Sequence, residues 1–120
     1  MSPDLYRESY QILKNRLHQL DARVAGPEAD GTAVVREANA IQQEFSDRLL
    51  AIPLDDMESP QVSHFQSLRT ETHKQLRLLA TDAAFWRSAK QPETRSQRQQ
   101  QLRDRLQTLI GYCEAAAGAV

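Results

Sequence analysis

The chain of 120 residues is poor in the residue types that define several protein classes. Its single cysteine, Cys113, cannot form an internal disulfide, which excludes the disulfide-rich class and indicates a reducing, cytoplasmic location. Four glycines and five prolines are too few for a collagenous chain or for a fold of many turns. The only apolar run of note, at 115–117, is far too short to span a bilayer, and we expect neither a signal peptide nor membrane contact.

Apolar residues recur at spacings of three and four along most of the chain, which is typical of amphipathic helices. Helix-start signals at Ser2-Pro3 and Ser59-Pro60, together with breaks at Gly26-Pro27, Pro53 and Gln91-Pro92, divide this pattern into four segments. The pattern predicts helices at about 3–24, 32–52, 59–90 and 92–117. The predicted core positions are Tyr6, Tyr10, Leu13, Leu17, Leu20 and Val24; Val34, Ala38, Ile41, Phe45, Leu49 and Ile52; Val62, Phe65, Thr72, Leu76, Leu79, Ala83 and Trp86; and Leu102, Leu106, Leu109, Cys113 and Ala116.

Short connections between helices favour antiparallel neighbours. We therefore predict a single all-α domain over 1–120, an antiparallel four-helix bundle in which helix three is the longest. An alternative is a long hairpin of helices three and four with two shorter helices packed on it. The first two turns of helix four, 94–101, contain no large apolar residue, so this segment is either frayed or a solvated projection of the bundle.

Three apolar residues of helix three lie beside its main apolar stripe and widen it: Leu68, Leu78 and Phe85. A wide apolar face is explained equally by a central position inside one bundle or by a two-fold interface between two copies of the chain. These three residues are the candidate self-association surface of a homodimer.

Charge is distributed unevenly between the two halves of the chain. Residues 1–61 carry 6 basic and 11 acidic side chains, a net charge of −5, whereas residues 62–120 carry 9 and 5, a net charge of +4. A basic cluster flanks the Pro92 turn and consists of Arg87, Lys90, Arg95 and Arg98. It is either a solvated helix end or a binding surface for an acidic protein, whose carboxylates arginine recognises with two parallel hydrogen bonds.

Motifs for catalysis or metal binding are lacking. Glu71 and His73 are separated by one residue, where the carboxylate-histidine motif of di-metal bundles needs two, and no phosphate-binding glycine loop is present. We expect no catalytic residue, no cofactor and no metal site. Nucleic-acid binding is disfavoured because the pI is near 6.3 and no base-stacking aromatic is expected among the basic residues.

The second half of the chain resembles the PatD family, small cyanobacterial proteins described as heterocyst frequency control proteins. The resemblance lies in the segment 69–82, RTETHKQLRLLATD, then in Phe85-Trp86, Ala89-Lys90-Gln91-Pro92 and the ending Leu109-Ile110-Gly111-Tyr112-Cys113. The first half is similar only in its heptad spacing and in Tyr6 and Tyr10. The resemblance implies a non-enzymatic regulator that binds the tubulin-like division GTPase FtsZ and promotes its assembly. In filamentous members it also implies an effect on heterocyst frequency.

Three hypotheses about function follow from these observations. The first is a cytoplasmic helical protein that binds FtsZ, as the resemblance implies. The second is a small helical nucleic-acid-binding protein that uses the basic cluster around Pro92. The third is a self-associating structural module in which the oppositely charged halves of neighbouring chains pair.

Overall fold

Four α-helices account for nearly all of the residues that the computed structural model describes, which are 3–27, 29–49, 51 and 59–118. They are α1 (Pro3–Ala25), α2 (Gly31–Leu49), α3 (Ser59–Ser88) and α4 (Pro92–Gly118). No strand occurs within these described ranges. The predicted all-α bundle is confirmed, and α3, with 30 residues, is the longest helix, as predicted.

Prolines and one capping carboxylate fix where the helices begin. Pro3 and Pro92 are the first residues of α1 and α4, where the missing N–H of proline leaves no hydrogen bond unmade. Asp30 accepts a hydrogen bond from the backbone N–H of Thr32 at 3.0 Å and so caps the N-terminus of α2. The cap starts α2 at Gly31, one residue before the predicted start.

Where the structure describes them, the ends of the helices lie close to their predicted positions. Helix α1 ends at Ala25, and a backbone hydrogen bond of 3.2 Å from Gly26 to the carbonyl of Arg23 closes its last turn. The segment 94–101 is helical, which excludes the frayed one of the two alternatives that its sequence left open. The predicted end of helix two at Ile52 and the acidic connection 53–58 lie outside the described residues.

Each helix packs on two neighbours, which gives a ring in the order α1, α2, α3, α4, with α4 in contact with α1. Side-chain contacts show that all neighbours are antiparallel, because residue numbers rise along one helix as they fall along the other. For α2–α3 and α3–α4 the contacts are hydrogen bonds, and for the two neighbours of α1 they are ion pairs. These pairs are Arg16–Glu44, Arg23–Glu37, Lys14–Glu114 and Arg103–Asp21. The result is an elongated bundle whose Cα atoms extend over 51 × 19 × 18 Å, and not a hairpin with two helices attached to it.

The core follows the predicted apolar stripes closely. Every predicted core residue within the described ranges is buried, except Val62, which is half-buried and packs against the core. Ile110 is an additional buried residue that the sequence pattern did not indicate. The largest buried side chain is that of Trp86, which is 2% exposed and lies at the end of the bundle that contains the Pro27 and Pro92 turns.

Two tyrosines of α1 form hydrogen bonds across the bundle to α3. The Tyr6 hydroxyl donates to the backbone carbonyl of Phe65 at 2.7 Å, and the Tyr10 hydroxyl donates to Oγ1 of Thr72 at 3.1 Å. Both hydroxyls are buried, so these bonds satisfy polar groups that could not reach water. They fix the lengthwise position of α1 relative to α3, the helix diagonally opposite it in the ring.

Candidate protein-interaction surface

The four residues of the basic cluster lie around the α3–α4 turn but do not share one environment. Arg87 is exposed in the last turn of α3, and Lys90 is exposed in the connection 89–91. Arg95 and Arg98 are half-buried in the first turns of α4. Only some members of the predicted cluster therefore face solvent freely.

Arg95 turns inward and contributes to the fold. Its guanidinium lies 4.7 Å from the ring centroid of Trp86, and its Nη1 donates to the carbonyl of Trp86 at 3.3 Å and to that of Ala89 at 3.5 Å. The Trp86 carbonyl also accepts a bond of 3.3 Å from the N–H of Ala89, so Arg95 caps the end of α3 as an additional side-chain donor. The expectation that Arg95 reaches outward towards a partner does not fit this geometry.

Gln99 has a similar role in the next turn of α4, and sequence reasoning missed it. Its Nε2 donates to the carbonyl of Val24 at 2.7 Å, which attaches α4 to the C-terminal end of α1. A signal was present in the sequence: Arg95 and Gln99 lie seven residues before Leu102 and Leu106, and thus continue the apolar stripe of α4 backwards.

Arg98 and Arg87 remain available at the surface. The guanidinium of Arg98 lies 4.8 Å from the ring centroid of Phe85, and its Nη1 donates to the side chain of Gln101 at 3.3 Å. The stem of Arg87 packs on the first residue of α2, Gly31, where a Cβ atom would lie 3.0 Å from its Cγ. Aromatic rings do lie among the basic residues, contrary to the expectation from the sequence.

The second half of the chain has more cations than carboxylates to pair with. Of its nine lysines and arginines, only Arg103 and Arg105 lie within 4.0 Å of a carboxylate of the described chain, those of Asp21 and Asp82. The seven cations without such a carboxylate are Arg69, Lys74, Arg77, Arg87, Lys90, Arg95 and Arg98. Arg69 and Arg95 donate to backbone carbonyls of the bundle, and the other five cations leave an excess of positive charge on α3, α4 and their connection that suits an acidic partner.

The three candidate self-association residues also separate in space. Leu68 packs against the core and needs no second chain to cover it. Leu78 is half-buried and Phe85 is 49% exposed; they lie seven residues apart on the edge of α3 that faces α4. Across from them on α4 lie Arg98 and Arg105, also seven residues apart. We call this strip, Leu78, Phe85, Arg98 and Arg105, the Phe85 seam.

Arg105 is the member of the Phe85 seam whose guanidinium is hydrogen-bonded to side chains of α3. Its Nε donates to Asp82 at 2.9 Å and its Nη1 donates to Oε1 of Gln75 at 2.7 Å, which ties α4 to α3 beneath the surface. Asp82 and Gln75 are both buried, so their polar atoms depend on Arg105. Arg98 is the cation of the seam that pairs with no carboxylate of the described residues.

Two of the cavities among the described residues offer little to a small ligand. A groove between α1 and α2, beside the exposed Ile12, has a volume of about 20 Å³, which is room for about one water molecule. An open cavity of about 430 Å³ at the end of the bundle is lined by Pro27, Trp86 and Arg95, among others. The guanidinium of Arg95 already donates hydrogen bonds to backbone carbonyls. Neither cavity contains a set of converging free polar groups.

The one cysteine of the chain is unsuited to act as a nucleophile. Burial raises the pKa of the Cys113 thiol to about 12, which keeps it protonated and unreactive at neutral pH. Among the described residues, no group of three His, Cys, Asp or Glu side chains is placed to hold a metal ion. In the same ranges of the chain, no helix combines the length and apolar character that a membrane crossing requires.

Comparison of the chain with protein-family models, with curated proteins and with solved structures returns no match. Any assignment of function therefore depends on the segments that resemble PatD and on the surface described above.

Proposed function

We propose that this chain is a non-enzymatic cytoplasmic regulator that binds FtsZ and promotes its assembly. In a filamentous host it would also influence how often cells become heterocysts. The observation that carries the proposal is the excess of cations without ion pairs on α3, α4 and their connection. Within the described residues there are seven, against the three carboxylates of Glu71, Glu93 and Asp104 that form no ion pair there. The identity of the partner comes from the resemblance of 69–82 and the following segments to PatD.

The filled core of the bundle supports a role in binding rather than catalysis. Its core is filled by apolar side chains, and the buried polar groups of Thr72, Gln75 and Asp82 are bonded within the protein. What the molecule offers to a partner is its surface. Basic side chains that no internal carboxylate neutralises increase the rate of encounter with an acidic protein and help to orient it.

Promotion of assembly requires that the chain bind FtsZ polymer more tightly than FtsZ monomer, because a ligand shifts an equilibrium only by its differential affinity for the two states. Co-sedimentation with FtsZ in the presence and absence of GTP measures this difference. We expect the chain to sediment with polymer in the presence of GTP and to remain in the supernatant in its absence.

Charge reversal tests whether the exposed members of the basic cluster make the contact. The double variant Arg87→Glu with Lys90→Glu should bind FtsZ polymer more weakly and with less dependence on salt. A matched control is Arg36→Glu with Arg48→Glu, which makes the same change of charge at two exposed cations of α2. Arg95 is left unchanged because it caps α3.

Two results would contradict the proposal. If the parent chain does not sediment with FtsZ polymer, the proposed partner is wrong. If both double variants lose binding equally, only net charge matters and the cluster is not a specific contact. Salt-dependent binding of the parent to DNA of arbitrary sequence, with no binding to FtsZ, would favour nucleic-acid binding instead.

A further inference from the structure

The Phe85 seam combines an exposed aromatic ring with a cation that lacks a carboxylate among the described residues. Phe85 and Ile12 are the two large apolar side chains that are exposed in this described chain, at 49% and 44%. Arg98 lies over the Phe85 ring and still leaves about half of that side chain open to solvent. Leu78, one heptad before Phe85, extends the apolar strip along the edge of α3.

The charges around the seam are predominantly positive. Lys74 and Arg77 are exposed on α3 near Leu78, and neither has a carboxylate within 4.0 Å among the described residues. The carboxylate of Asp82 is neutralised by Arg105 at 2.9 Å. The remaining acids on these stretches of the two helices, Glu71 and Asp104, accept hydrogen bonds from glutamines of their own helices, at 3.5 and 2.8 Å.

We infer that the Phe85 seam binds an acidic segment that also carries an apolar side chain. The apolar side chain would cover Phe85 and Leu78, and a carboxylate of the segment would pair with Arg98. This inference rests on the proposed function as a protein-binding module and names the chemistry of the bound segment. Aromatic side chains, phenylalanine among them, and arginine are enriched in protein interfaces.

A second copy of the chain is a poorer occupant of the seam. A two-fold contact centred on Phe85 would place Arg98 of one copy close to Arg98 of the other and would bring Lys74 and Arg77 into the same region. Like charges held together in an interface oppose association. The homodimer, one of the two explanations of the wide apolar face, is thus disfavoured by the charges that the structure places around that face.

The direct test uses short synthetic peptides and the full chain. Fluorescence anisotropy compares an acidic peptide composed of Glu, Asp and Leu, the same peptide with Leu replaced by Ser, and a basic peptide composed of Lys and Leu. We expect the parent to prefer the first peptide. The variant Phe85→Ala should weaken this binding by about tenfold, and Arg98→Gln should weaken it and reduce its salt dependence.

Matched controls separate a local contact from general effects. Ile12→Ala removes the other exposed apolar side chain, on the opposite side of the ring of helices, and Arg36→Gln removes an exposed cation of α2. Both should bind the acidic peptide as the parent does. Far-UV circular dichroism and urea unfolding confirm that all four variants are folded, as expected for changes at exposed or half-exposed positions.

The outcomes distinguish this inference from the proposed function. If the parent binds FtsZ polymer but Phe85→Ala does so equally well, the seam is not the docking surface, although the proposed function stands. If the parent binds the acidic peptide through Phe85 but does not bind FtsZ, the seam is supported and FtsZ is the wrong partner. If sedimentation velocity shows a dimer that Phe85→Ala converts to a monomer, a second copy occupies the seam and the inference is overturned.

Discussion

At the scale of single residues, Arg95 shows how a charged side chain can serve the interior of a bundle. Its guanidinium covers the Trp86 ring, and its Nη1 donates to the carbonyls of Trp86 and Ala89 where α3 ends. A leucine at the same position could cover the indole but could not cap the helix. Arginine therefore supplies both packing and hydrogen bonds where α4 begins.

The Arg95→Ala variant should lower the free energy of unfolding by about 1–2 kcal/mol, because it removes a cation–π contact and a capping interaction together. Arg87→Ala, at an exposed position in the same cluster, should change it by less than about 0.5 kcal/mol. Urea unfolding followed by circular dichroism at 222 nm measures both values. Equal effects of the two substitutions would show that Arg95 is as dispensable as an ordinary surface cation.

The position of Arg95 could have been predicted from the sequence, but its contacts could not. The spacing from Leu102 places it on the buried side of α4, and the same is true of Gln99 relative to Leu106. A pattern that counts only apolar residues misses both. Which carbonyls they reach depends on how α1 and α3 end in space, and this is a property of the folded bundle.

At the scale of helices, the beginning of α4 is attached through polar side chains rather than through apolar packing. Arg95 contacts the end of α3, and Gln99 contacts the end of α1. The segment 94–101 is therefore held by a few directional bonds, unlike the Leu102–Ala116 stripe, which is buried in the core. The sequence could not decide whether this segment is helical, because apolar periodicity was absent there.

Capping by Asp30 gives a test at the scale of α2. Asp30→Ala should destabilise the protein by about 1 kcal/mol, because it leaves the backbone N–H of Thr32 without its acceptor. Asp30→Asn should retain most of the stability, since its side-chain oxygen can accept the same hydrogen bond. Thermal and urea unfolding of the two variants provide the comparison. If Asp30→Asn loses as much unfolding free energy as Asp30→Ala, the negative charge, and not the hydrogen bond, stabilises the helix.

The helices themselves were predictable because apolar spacing and proline positions agree. The stripe of α1 from Tyr6 to Val24 is buried at every predicted position, and α4 begins at Pro92 as expected. The boundary of α2 was displaced by one residue because the cap is Asp30, which the sequence pattern left in the preceding loop. Apolar spacing defines the body of a helix, whereas its ends are decided by hydrogen bonds of single side chains.

At the scale of the whole molecule, the distribution of unpaired charge could not be predicted from net charge alone. The sequence shows an excess of cations in the second half. It does not show that Arg103 and Arg105 are neutralised, while Arg87 and Arg98 meet no carboxylate of the described chain. That division depends on which helices become neighbours. The sequence could therefore place four cations around one turn, but it could not show which of them face solvent.

Burial of ionisable hydroxyl and thiol groups makes the stability of the whole bundle sensitive to alkaline pH. Burial raises the pKa of Cys113 from its usual 9.0 to about 12, and it also raises the pKa of Tyr6 and Tyr10 above their usual 10.0. The neighbouring Tyr6 hydroxyl raises the pKa of Tyr10 further. In the unfolded chain these groups ionise at their usual values, so ionisation favours unfolding.

The stability contributed by these groups is present below pH 9 and is lost progressively above it. For Cys113 alone, the free energy of unfolding should fall by about 1 kcal/mol by pH 10, and the tyrosines add to the loss above that pH. Urea midpoints measured from pH 8 to pH 11 should show this decline. In Cys113→Ala the decline should begin only near pH 10; an unchanged onset would mean that the thiol does not contribute.

The tryptophan and the tyrosines of this elongated bundle lie at different positions along its axis. Trp86, the single tryptophan, lies beside Arg95 at one end, whereas Tyr10 is about 20 Å further along the axis, counted from the α1 residue Val24 at 1.5 Å per residue. Tyr6 is more distant still, and Tyr112 follows Arg95 by about 25 Å along α4. Tryptophan emission therefore reports on one end of the rod, and tyrosine absorbance reports on the rest. Their denaturation curves coincide only when the rod unfolds as a single unit, so the chain carries an intrinsic optical measure of its own cooperativity.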